Sequence, residues 1–171
     1  MKNPVDALAD ARSDLGQRSG ATASASDAPA GGNQRIEGWE SRFNAVVAGA
    51  LDKPYRLGRY DCFLFACACA EALTGVNPGL AHHGTYRGRI GAARRIREFA
   101  GGGMREGITK LLGVPPGPPR LARRGDWMLW TDAAGQDHIG VCLGATAALL
   151  AKSGLNQVAL DDCSAAWPVG R

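Results

Sequence analysis

The chain has 171 residues, 45% hydrophobic and 21% charged, which is enough for one globular domain with its own core and too little for two. A formal net charge of +4 makes the surface mildly basic, short of a dedicated nucleic-acid binder, and no stretch approaches the ~18 apolar residues of a membrane span. Five cysteines, an odd count without paired C-x-x-C spacing, argue against both a disulfide framework and a tetrahedral zinc site.

The opening residues, MKNPVDALADARSDLGQ, are broken by charges and lack the apolar run of a signal peptide, so the chain is expected to stay soluble where it is made. Val5, Leu8 and Leu15 form only a thin apolar stripe, and GATASASDAPAGGN from Gly20 to Asn33 holds no large apolar side chain with which to offset the entropy of ordering. A flexible arm and linker over 1–34 and a folded domain over 35–171 follow from this composition.

Trp39, Phe43, Val46, Val47, Ala50 and Leu51 recur at the spacing of one buried helix face, which Asp52-Lys53-Pro54 ends. The run CFLFACACAEALTG from Cys62 is apolar around nearly its whole circumference, with Asp61 as N-cap and Gly75 at the stop position, and so predicts a helix in the middle of the domain. GAARRIREFA from Gly91 and MREGITKLL from Met104 predict two more helices, separated by three glycines. After VPPGPP the chain turns to short β-forming segments: DWMLWT, HIGVCLG across the polar turn DAAGQD, then ATAALLA, NQVAL and AWPV. Helices followed by strands predict an α+β fold whose antiparallel sheet is covered on one face by the central helix. Trp127 and Trp130, three apart on one strand, should face opposite sides of it.

Cys62 stands apart from Cys67, Cys69, Cys142 and Cys163, which read as reduced thiols in the core. At a helix start the backbone N–H groups favour a thiolate, and such thiols can fall from about 8.5 to ~3.5–7.5. A nucleophilic thiol needs a base, and of the three histidines His138, at the mouth of a strand, is best placed, whereas His82 and His83 read as solvated loop residues. Arg94, Arg95 and Arg97 read as the solvated face of an amphipathic helix, and no interleaved aromatics point to nucleic acid.

YRLGRYDCFLF from Tyr55, RRGDWMLW from Arg123 and HIGVCLG from His138 resemble, in this order, three signatures of the NlpC-type papain-like cysteine peptidases. These are a Tyr- and Gly-containing loop leading into Asp-Cys at a helix start, a Gly-Asp strand and a His-x-Gly strand. The resemblance covers residues 55 to about 144. The chain is also similar to phage and prophage tail-tip proteins of this fold, through the Asp-Cys helix, the basic GAARRIREFAGGG segment and the Ala166-Trp167-Pro168-Val169 ending.

The resemblance implies a papain-like fold and cleavage of peptide bonds in peptidoglycan stems through an acyl-enzyme, with neither metal nor cofactor. Cys62 would be the nucleophile and His138 the general base, while Tyr55 and Asp61 would position the oxyanion with backbone N–H groups at the helix start. It implies tail or hub proteins as partners, held through residues 1–34, and a location in the host cytoplasm during synthesis and then in the virion tail. Two positions depart from the family. Phe63 stands where a serine usually follows the Asp-Cys pair, and Ala148-Leu149-Leu150-Ala151 occupies the strand where a polar residue should orient the histidine. An alternative reading therefore keeps the fold and drops the chemistry, as a catalytically inactive tail-tip or hub assembly protein.

Overall fold

The computed structural model describes residues 34–171, so the expected arm over 1–34 lies almost wholly outside the described residues. The chain first forms helices α1 (Trp39–Gly49), α2 (Cys62–Thr74), α3 (Gly88–Ala100) and α4 (Met104–Leu112). Strands β1 (Trp127–Thr131), β2 (Asp137–Cys142), β3 (Thr146–Ala151), β4 (Gly154–Ala159) and β5 (Cys163–Trp167) follow. The predicted α+β class and chain order are observed.

Helix α2 begins and ends where its capping residues dictate. Asp61 is extended and accepts the N–H of Leu64 at 3.0 Å, and Gly75 closes the helix in the left-handed conformation with its N–H on Glu71 O. Helix α3 starts three residues earlier than predicted, at Gly88 instead of Gly91. Its first turn holds no buried side chain, Ile90 being 87% exposed, so apolar patterning could not mark it.

The strands pair in the order β4-β3-β2-β1-β5, every neighbour antiparallel. Side chains alternate between the two faces. Trp127, Leu129, Ile139 and Val141 join Phe65 and Leu73 of α2 in the main core, whereas Met128, Cys142, Cys163 and Ala166 form a smaller cluster on the other face. Trp127 is fully buried in the first and Trp130 packs against the second, which places them on opposite faces as predicted. All five cysteines are buried free thiols. No helix among the described residues is long and apolar enough to cross a membrane.

The Gly125-Asp126 pair at the head of β1 fastens the domain's two ends. Gly125 has φ +91°, and a Cβ there would lie 2.4 Å from Leu73 of α2, so only glycine allows the strand to pass so close to the helix. Asp126 is fully buried, and its carboxylate accepts the N–H groups of Arg123 and Val169. It also faces the guanidinium groups of Arg35 at 3.6 Å and Arg171 at 2.7 Å. Residues from the first and last described turns thus meet at one carboxylate. Asp126→Ala would leave Arg35, only 18% exposed, without its anion. Urea unfolding should show a loss of about 3 kcal/mol, whereas a loss below about 1 kcal/mol would mean that this cluster does not hold the ends.

Candidate active site

Two features of the backbone bring the site together. β2 pairs with β1 from Asp137 onward but with β3 only from Gly140, so its first residues are unpaired on the β3 side. The head of α2 abuts this opening, close enough for the backbone N–H of Ile139 to favour negative charge on the sulfur of Cys62. Cys62 and His138 both border one cleft of about 800 Å³, together with Tyr55, Asp61 and Tyr86, the imidazole on the Trp130 side of β2 and without a hydrogen bond to the sulfur. The residues predicted from the sequence for the site are all found there.

Asp61 is fully occupied in shaping the loop. Oδ1 accepts the N–H of Leu64, and Oδ2 accepts both the N–H of Gly58 and the hydroxyl of Tyr86, each at 2.7 Å. Gly58 has φ +77°, and a Cβ there would fall 2.1 Å from the carbonyl oxygen of Tyr86. The loop carrying Tyr55 and the segment carrying Tyr86 are therefore clamped to the start of α2. Asp61 acts as a positioning residue, both of its oxygens accepting hydrogen bonds from the segments it joins. Tyr86 was not singled out by the sequence, because nothing local shows that a tyrosine 25 residues away donates to this carboxylate.

Burial, then the nearby Cys62 and Asp61, raise the Tyr55 hydroxyl well above its ordinary value. The phenol therefore stays protonated and is available as a hydrogen-bond donor in the cleft.

The structure corrects the expectation of a lowered thiol at Cys62. Burial, with a further contribution from Asp61, pushes it up to about 11, against the opposing N–H groups of Ile139, Phe63 and Cys62 itself. Desolvation thus outweighs the helix start, and the resting thiol is neutral. Phe63 does not block the cleft. Its ring stands edge-on to Trp127 and His82 and forms part of the wall.

His82 is also corrected: it is 9% exposed, lies edge-on to Phe63 and Phe99, and is lowered by burial and by Arg95. The loop reading failed because α3 folds over this residue.

The orienting residue expected on β3 lies instead in the β1–β2 turn. Asp132 Oδ2 is 3.0 Å from His138 Nε2, and Oδ1 accepts the N–H groups of Ala134 and Gln136, each at 2.9 Å. The carboxylate is thereby fixed by its own turn, and its bond to His138 holds it below the usual carboxylate range. A carboxylate only accepts, so Nε2 carries a proton and donates it to Asp132. Trp130, across the ladder from His138, packs against the imidazole with ring centroids 5.5 Å apart. The sequence held a signal for Asp132: in TDAAGQDH the Asp opens a turn with Gly three residues on, and the hairpin register returns the chain beside it.

Taken together, the fold and the cleft define an α+β domain with a thiol at a helix head, an imidazole at a strand head and a carboxylate oriented onto that imidazole. The chain belongs to the family described as Domain of unknown function (DUF6950), whose model matches residues 34–169. No curated protein matches the sequence.

The rate at which Cys62 reacts with iodoacetamide should rise with pH toward a midpoint near 11, since the thiol is raised. A midpoint below the free-thiol value of about 8.5 would reveal a preformed thiolate and overturn this account of the resting state.

Proposed function

We propose that the domain is a cysteine hydrolase of the NlpC-type, papain-like kind that cleaves peptide bonds in peptidoglycan stems, and that it works at a phage-type tail tip. The observation that carries this reading is the Asp132–His138 bond within the cleft that also contains Cys62. A buried structural histidine has no need of a carboxylate locked by a turn, whereas a general base needs its tautomer fixed.

In this mechanism Nδ1 of His138 takes the Cys62 proton as the sulfur attacks the scissile carbonyl carbon. The carbonyl π pair moves to oxygen, which receives N–H groups at the head of α2 and the hydroxyl of Tyr55. Collapse expels the amine, protonated by His138, and leaves a thioester on Cys62. Water, deprotonated by the same imidazole, then releases the acid and restores the thiol. The raised thiol suits this sequence, since proton transfer accompanies attack instead of preceding it. Neither a metal nor a cofactor takes part in these steps.

One observation favours a second reading, an inactive tail-tip or hub assembly protein: Cys62 is only 8% exposed, little for a nucleophile that must meet a polymer. In that case the cleft is an inherited shape, and partners bind through residues 1–34. Release of soluble fragments from purified peptidoglycan separates the two. The native protein should release them and Cys62→Ala should not, while equal release, or none, would remove the hydrolase reading.

Asp132 provides a sharper test, because it must accept hydrogen bonds at both oxygens. Asn has only one acceptor oxygen, so Asp132→Asn either turns its NH₂ onto Nε2 and inverts the tautomer or breaks the turn. Fragment release should fall by about two to four orders of magnitude at unchanged fold. A fall of less than about threefold would show that Asp132 does not orient the base.

A further inference from the structure

We infer that helix α3 is a lid over the cleft, held shut at its N-terminal end by the bond between Arg89 and Gln136, and that its opening admits bulky molecules to Cys62. The inference goes beyond the hydrolase reading, because access to a thiol can be measured with no peptide being cleaved.

The head of α2 is enclosed, since Cys62 is 8% exposed although the cleft beside it measures about 800 Å³. Helix α3 forms one wall of that cleft, with Arg89, Ala92, Ile96 and Phe99 along it. Helices α1, α2 and α4 each bury at least one side chain, whereas none of the 13 residues of α3 is fully buried. A wall that buries so little costs little to displace, because little apolar surface returns to water.

Both ends of α3 are free to turn. Gly88 at its start has φ +67° and Gly101 just after its end has φ +73°, and a Cβ on either would meet nothing within 4 Å. Backbone angles can therefore change at both positions without a clash. The segments outside them are fixed. On one side Tyr86 donates to the buried carboxylate of Asp61. On the other, α4 buries Ile108, Leu111 and Leu112, and its Thr109 hydroxyl accepts the indole N–H of Trp167 at 3.0 Å. The helix thus lies between two pivots set in firm supports, as a hinged element does.

Contacts at both ends hold it closed. Phe99 in the last turn stands edge-on to His82, with ring centroids 5.1 Å apart, and its carbonyl oxygen accepts from Lys110 of α4 at 2.7 Å. In the first turn the Arg89 guanidinium reaches the β1–β2 hairpin and donates to Oε1 of Gln136. The backbone N–H of Gln136 is one of the two that fix Asp132. The latch therefore joins the lid to the turn that orients His138. A solvent-facing bond of this kind shifts a population only about fivefold, so closed and open forms exchange readily.

The test compares alkylation of Cys62 in the full-length protein by a small reagent, iodoacetamide, and a bulky one, N-pyrenylmaleimide, with the site read by peptide mass. Arg89→Ala should raise the maleimide rate about fivefold and the iodoacetamide rate by less than about twofold, because only the bulky reagent requires the open form. Gln136→Glu turns the latch into an ion pair and should slow the maleimide about threefold, the slowing fading as sodium chloride is added. Neither side chain is buried, so both variants should keep the circular dichroism of the native protein. A maleimide rate unchanged by Arg89→Ala would overturn the lid. So would equal changes with both reagents, which would mark an effect on the thiol itself and not on access to it.

Discussion

The site depends on one buried carboxylate at the head of the central helix. Asp61 caps α2, holds Gly58 and binds Tyr86, so three separate stretches of chain converge on the first turn after which Cys62 projects. A buried carboxylate is tolerable only when its oxygens are satisfied, and that requirement makes the loop geometry specific. Asp126 plays the corresponding part at the opposite side of α2, where the strand lies against Leu73. The central helix is thus held between two aspartates whose partners come from distant segments, and its sulfur is presented at a fixed position beside β2.

This arrangement explains how a cysteine at a helix start can be less acidic than a free one. The N–H groups of Ile139, Phe63 and Cys62 stabilise negative charge on the sulfur, but removal of water costs more than they return. The resting thiol is therefore neutral, and any reaction of the sulfur begins with loss of its proton. In the proposed mechanism that proton passes to His138, whose Nε2 bonds to the doubly anchored Asp132. An exposed turn would be a poor support for a catalytic group were it not closed by the carboxylate that it presents.

The parts of the structure that were legible in the sequence are those fixed by local chemistry. Asp61 and Gly75 bound α2 because caps are read within a turn of the helix, and alternation placed Trp127 and Trp130 on opposite faces. Cys62 and His138 could be chosen by position in their elements, and they line one cleft. What could not be read depends on contacts between segments. Asp132 meets His138 only once the β1–β2 register is known, and Tyr86 meets Asp61 across 25 residues. His82 looks like a loop residue until α3 covers it with Phe99. The direction of the Cys62 shift turns on how much water the packed loop excludes, and no sequence pattern states that.

In the proposed mechanism Cys62 and His138 act as one chemical unit. Its most direct test is the intact mass of the protein after exposure to a peptidyl vinyl sulfone, an electrophile that needs both a nucleophilic sulfur and a proton-accepting neighbour. A single adduct is expected, located on Cys62 in preference to the four other thiols and lost in His138→Ala. Adducts spread over several cysteines, or an adduct on Cys62 that forms equally fast without His138, would contradict it.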